Sequence, residues 1–143
     1  MADPDPHIRR TVVFSLATIV VLLVIVFAPF TRPPSSISVA KAYELLERDS
    51  SIVVLDVRTE EEFTSSTGRL PRALLIPVQD LEKRIGELSP YKQRTILVYC
   101  RSGRRSRNGA ALLEKNEFNA MNIEGGILEW KNSGLPVLLE KKP

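Results

Sequence analysis

At 143 residues, with 20 lysines and arginines against 17 aspartates and glutamates for a formal net charge of +3, the chain is too short for tandem domains. Its basic excess is too small to mark a nucleic-acid binder, and no aromatic-interleaved basic stripe supports one. A single cysteine, Cys100, and a single histidine, His7, exclude a zinc or iron–sulfur site and a Cys-His dyad, so no metal and no cofactor are expected.

Residues 1–10 read as an amino-terminal tail. Residues 11–31 carry no charge and are almost wholly apolar. As a helix they would reach about the 30 Å of a bilayer's hydrocarbon core, so they are expected to form a transmembrane helix. The β-branched content would suggest strand in water, but lipid leaves no solvent to satisfy an open strand. A cleaved signal peptide competes, with Arg9 and Arg10 ahead of the apolar run, but the run is long and Pro29 spoils the small-residue cleavage site at Ala28. Arg9 and Arg10 lean the orientation towards an extracytoplasmic domain on a single-pass anchor, against a near-equal charge from Arg32 and Lys41.

Residues 32–37, with Arg32-Pro33-Pro34-Ser35-Ser36, read as a short stiff linker. Residues 38–143 then have the size of one small domain without internal repeats. Ser38 is placed to cap a helix with Val39, Ala42, Leu45 and Leu46 on one face, and a buried strand follows at Ile52–Leu55. A strand at Ala73–Ile76, a helix near Asp80–Leu88 and a strand at Thr95–Tyr99 come next. Beyond Cys100 a helix, a strand around Ala120–Ile123, a Gly125-Gly126 turn and a helical turn bearing Trp130 complete the chain. Short apolar strands separated by helices predict an α/β fold with a parallel sheet, whose sites lie outside the carboxyl ends of its strands.

Cys100 stands at such an end, followed by Arg101-Ser102-Gly103-Arg104-Arg105-Ser106-Arg107. A thiol pKa falls when the sulfur faces cations or a helix amino terminus. Four arginines supply charge, Ser106 is a candidate cap for the helix through Ala110 and Leu113, and Gly103 permits a left-handed turn that aims successive N–H groups at one point. Cys100 is therefore the candidate nucleophile, against the alternatives of an inert buried thiol or a basic surface patch. With no second cysteine, any sulfur-bound intermediate must be discharged by an outside acceptor. Asp56, at the end of the first buried strand, is a candidate to accept hydrogen bonds from the cysteine loop or its arginines. Arg58 and Glu62 are spaced as a helical ion pair. Gly125-Gly126-Ile127 and Trp130 are simplest as a tight turn and a core aromatic, with a wall of the substrate pocket as the other role.

Taken in order, Asp56-Val57-Arg58 with Glu61-Glu62-Phe63, Gly68-Arg69-Leu70-Pro71-Arg72-Ala73, Ile76-Pro77, Cys100 through Ser106, Glu124-Gly125-Gly126-Ile127, Trp130, Gly134 and Pro136 resemble the rhodanese family of sulfurtransferases over roughly residues 38 to 137. The resemblance implies a rhodanese-like sheet flanked by helices. It also implies a Cys100 persulfide that takes sulfane sulfur from a small anionic donor such as thiosulfate and passes it to cyanide or a thiol. Carried over, the backbone from Arg101 to Ser106 cradles the transferred sulfur, Arg105 orients the donor, and Arg101 and Arg104 add positive potential. Arg69, Arg72 and Glu117 depart from the family pattern, the last two at positions where glycine is common.

A cysteine-type phosphatase is the rival enzyme. Its loop needs arginine six positions after the cysteine, where this chain has Ser106. A sulfur-carrier or partner-binding module at the membrane is the non-catalytic alternative, its protein partner unspecified by the sequence.

Overall fold

The computed structural model describes residues 33–139. The tail at 1–10 and the expected membrane span at 11–31 lie outside the described residues. Among the described residues no helix is long and apolar enough to cross a membrane. Five parallel strands form one sheet in the order β1-β5-β4-β2-β3: β1 Ser36–Ile37, β2 Val53–Asp56, β3 Ala73–Leu75, β4 Thr95–Tyr99 and β5 Asn119–Ile123. The helices are α1 Val39–Arg48, α2 Glu60–Phe63, α3 Leu81–Arg84, α4 Arg104–Lys115 and α5 Gly126–Asn132.

Alternation along the central strands divides the core in two. Val53 and Leu55 of β2, then Ile96, Val98 and Cys100 at β4, pack with Leu81, Leu88, Ala110 and Leu113 on the α3 and α4 side. Val54, Leu97 and Tyr99 face the other way, onto Val39, Ala42, Ile127 and Trp130 of α1 and α5. A strand buried on both faces reads as an unbroken apolar run, which is why β2 and β4 are visible in the sequence within one residue.

Two local expectations change and one holds. Ser36 and Ile37, assigned to the linker, form a strand beside Asn122 and Ile123. The helix expected at Asp80–Leu88 winds as α only to Arg84 and continues as a 3-10 segment over Ile85–Tyr91, which contains Pro90; proline lacks the N–H that an α-helix would use there. Ser38 does cap α1, accepting from the Lys41 N–H at 3.3 Å.

The two departures at glycine positions leave the turns intact. Arg72 has φ 60° and Glu117 φ 64°, both in the left-handed region that glycine occupies without strain. Arg72 is held there by its guanidinium, which donates to the carbonyls of Ser50 at 3.2 Å and Leu46 at 3.3 Å.

Candidate functional site

β4 carries Cys100 to the carboxyl end of the sheet, and alternation turns its sulfur to the α4 side. The chain bends through Arg101 and Ser102 to Gly103, whose φ of 88° starts α4. Two hydrogen bonds fix the bend from outside: the Ile127 N–H donates to the Cys100 carbonyl at 2.9 Å and the Leu128 N–H to the Arg101 carbonyl at 3.1 Å. In a trans peptide the C=O and N–H point opposite ways. Drawing the Arg101 carbonyl towards α5 therefore turns the Ser102 N–H back over the sulfur. The Gly103 N–H donates to Sγ at 3.2 Å, and the Ser106 Oγ lies 3.4 Å from it.

Burial pushes the Cys100 thiol up, but hydrogen bonds from the Ser106 hydroxyl and from the N–H groups of Ser106, Ser102 and Gly103 outweigh it, so the pKa is lowered overall. Cys100 is only 1% exposed and belongs to the apolar cluster with Val98 and Ala110. Its sulfur nonetheless meets converging donors, so it is the floor of a cradle.

The arginines meet the sulfur only in part: Arg105 interacts with Cys100 by charge and by a side-chain hydrogen bond. Arg101, Arg104 and Arg107 are exposed. Arg105 is half-buried and bound bidentately by Glu62, with both N–O distances 2.7 Å. Glu62 is set on α2 by a capping box in which Thr59 Oγ accepts from the Glu62 N–H and the Glu62 carboxylate accepts from the Thr59 N–H. Glu62 thus pairs with Arg105, replacing the expected partner Arg58. Ser106 likewise is not the cap of α4: Gly103 takes that place, and Ser106, one turn in and buried, turns its hydroxyl inward.

Arg105 holds the Glu62 carboxyl at about 2, from an ordinary value of 4.5. A depressed carboxyl stabilises the fold fully above its unfolded pKa and loses that contribution as pH falls through the folded one. Glu62→Gln is expected to lower stability at pH 7 by on the order of 1–2 kcal/mol, allowing for solvent screening. In urea melts across pH the gap from wild type closes between about 4.5 and 2; a gap that persists at the acid end would assign the loss to something other than this ion pair.

Asp56 does not reach the cysteine loop. Alternation along β2 sends it to the face opposite the sulfur. There its carboxylate binds the Arg58 Nε at 2.9 Å and Nη2 at 2.7 Å, and Arg58 donates onward to the Gly68 carbonyl at 2.9 Å. The Tyr99 hydroxyl joins this group, bonded to Asp56 and accepting from the Leu70 N–H at 3.2 Å. Burial, reinforced by the Asp56 charge, pushes the Tyr99 phenol well above its ordinary value. Asp56 and Arg58, 0% and 1% exposed, brace the loop around Gly68 and position the sheet end from behind.

Two contacts at the site escape a sequence reading. Glu62 lies 43 positions from Arg105, beyond any local spacing rule. Asn122, on β5, accepts from the Ser106 hydroxyl at 2.6 Å; its signal is a polar residue inside a buried strand. Trp130 is a core aromatic, edge-on to Tyr43 with ring centroids 5.8 Å apart. It lines a cleft of about 260 Å³ with Tyr43, Glu47, Pro71 and Arg72. That cleft shares no residue with the cysteine loop, so it is the donors around Sγ that define the site. Among the described residues no group of His, Cys, Asp and Glu could hold a metal ion.

Residues 38–133 match the rhodanese-like domain family. The chain is 33% identical over 100 residues to YtwF of Bacillus subtilis, covering 70% of this chain and 93% of that one. It is 34% identical over 88 residues to a sulfurtransferase of Allochromatium vinosum, covering 61% and 78%. Its structure resembles that of a rhodanese-related protein from Thermoplasma volcanium, with a TM-score of 0.67 and 31% identity, covering 74% and 99%. The cysteine loop thus sits on a domain shared by all three, and the chain belongs to the rhodanese-like domain family.

Proposed function

We propose that this protein is a sulfurtransferase in which Cys100 carries sulfane sulfur between a small anionic donor and a thiol or cyanide acceptor. The observation that carries this reading is the convergence of the Gly103 N–H and its neighbours on Sγ, which favours an anionic sulfur at that point. The Cys100 thiolate attacks the outer sulfur of thiosulfate. The donor's S–S bond breaks, sulfite leaves with the electron pair, and a Cys100 persulfide forms. Cyanide or a thiolate then takes the outer sulfur, and the thiolate returns.

The loop amides from Ser102 to Ser106 hold the negative charge at the thiolate and again on the persulfide's outer sulfur. Arg101 and Arg104, exposed beside the loop, raise the local concentration of anionic donors. Arg105, held by Glu62 and interacting with the sulfur, orients the donor at the entrance. The near-closed sulfur suits a small donor better than an aryl phosphate, and Ser106 occupies the position where a phosphatase loop needs arginine. A membrane tether through residues 11–31, with the domain on the extracytoplasmic side, completes the reading; retention of the full chain in alkali-washed membranes and protease accessibility in intact cells check it.

The test treats the protein with thiosulfate and weighs it. A gain of one sulfur atom on the tryptic peptide containing Cys100, discharged by cyanide to thiocyanate, is expected. Sulfur gain without turnover leaves a carrier module, no gain leaves a partner-binding module, and aryl phosphatase turnover alone overturns the sulfur chemistry.

A further inference from the structure

Asn122 is an anomaly in the core. Alternation along β5 places it with Ala120 on the α4 side, in a slot where the pattern calls for an apolar side chain, and it is 0% exposed. Its Oδ1 accepts from the Ser106 hydroxyl at 2.6 Å, and its Nδ2 has no hydrogen-bond partner. A buried donor left unsatisfied costs about 1–3 kcal/mol, so its presence needs a reason.

The reason lies in the hydroxyl between the amide and the sulfur. Ser106 Oγ is within reach of both Asn122 Oδ1 and Cys100 Sγ, at 2.6 and 3.4 Å, yet a hydroxyl has one hydrogen to give. Donated to Asn122, that hydrogen leaves the oxygen facing the sulfur as an acceptor, which suits a neutral S–H. If the amide turns over about its terminal bond, Nδ2 donates to Oγ and the hydroxyl hydrogen swings to Sγ, which suits an anion. Oxygen and nitrogen exchange places in the same outline, so the turn needs no repacking.

We propose that Asn122 is a positioning residue whose amide, acting through Ser106, reverses direction between the neutral thiol and the anionic thiolate or persulfide of Cys100. The proposal rests on Cys100 as the sulfur carrier. On ionisation the thiol proton passes to water, Ser106 keeps its own hydrogen, and only hydrogen bonds exchange partners. The charged groups carried by the surrounding elements are Arg105 on α4, held by Glu62 of α2, the exposed Arg101, Arg104, Arg107 and Lys115, Glu114 on α4, which accepts from the Ser35 N–H, the mutually paired Asp56 and Arg58 beyond β2, and the exposed Glu124 and Glu129 around the start of α5. None of them touches the Asn122 amide through a hydrogen bond.

Titration of the thiolate by ultraviolet absorbance tests this on the whole chain without any sulfur donor, so it reads out even if transfer activity is absent. With one cysteine in the chain, the signal belongs to Cys100. Asn122→Leu and Ser106→Ala are each expected to raise the midpoint by about one pH unit, the loss of one hydrogen bond to a charged sulfur. Asn122→Asp, the same shape but able only to accept and negatively charged, raises it further. In a Ser106→Ala background Asn122→Leu adds nothing and the Asn122→Asp shift falls by at least half. A residue with only a packing role would lower the melting temperature and leave the midpoint in place. An unmoved midpoint, or shifts undiminished without Ser106, overturns the proposal; if Asn122→Leu does not fold, Asn122→Asp with and without Ser106 decides alone.

Discussion

Cys100→Ser protein is expected to keep its fold and lose sulfur transfer by a factor of about 1,000 or more, because no other group in the site can take up the transferred atom. The hydroxyl replaces a thiol that already accepts from the Gly103 N–H, so the new oxygen meets a partner and is not stranded among Val98 and Ala110. Stability should change by less than about 1.5 kcal/mol, the scale of one hydrogen bond made or lost. The chemistry has no such tolerance. The donors around Sγ lower the pKa of a thiol whose ordinary value is 9.0, and a serine hydroxyl begins far beyond their reach. Thiosulfate–cyanide transfer, with the mass of the treated protein beside it, checks both halves. Residual activity above a tenth of wild type would remove Cys100 from the reaction.

How legible the site was depends on the range of the interaction that built it. Apolar runs at Val53 and at Ile96 mark central strands because burial on both faces is written into consecutive residues. Gly103 marks the left-handed turn because few other residues adopt a φ of 88°. The direction of the Asp56 side chain is not legible, because the sequence shows a carboxylate near a strand end without showing which face it takes; counting from Val53, the even positions fall on the Tyr99 side. Ser106 looked like a cap because serine commonly is one, but Gly103 had already started the helix. The Glu62–Arg105 pair and the Asn122–Ser106 bond are closed by the tertiary fold, across separations of 43 and 16 residues, and no local pattern announces them. The origin of the lowered thiol pKa shifted for the same reason: arginines are visible as letters, whereas the direction of a peptide N–H follows from what holds its carbonyl.

That last dependence makes Gly126→Ala the severe test of the loop. Gly126 has φ 59°, and a Cβ there would overlap the Cys100 carbonyl oxygen and lie 2.7 and 2.8 Å from the Arg101 carbonyl oxygen and carbon. These are backbone atoms, so no rotamer change relieves the overlap. They also belong to the peptides whose carbonyls Ile127 and Leu128 hold. Pushing them away rotates those peptide planes, swings the Ser102 N–H off Sγ and displaces the Gly103 N–H that follows it. Transfer activity is expected to fall about 100-fold or more, as when preorganised donors to a developing anion are removed, and the thiolate midpoint to move up. Stability should fall by about 2–3 kcal/mol, of which about 1–2 is the left-handed backbone alone. Gly134→Ala separates the two contributions: its φ is 71°, but nothing lies within 4 Å of the added atom. It is expected to carry the backbone strain and leave transfer unchanged. If the two variants lose stability and activity alike, backbone strain explains both, and the grip of α5 on the loop carbonyls is not what aims the donors at sulfur.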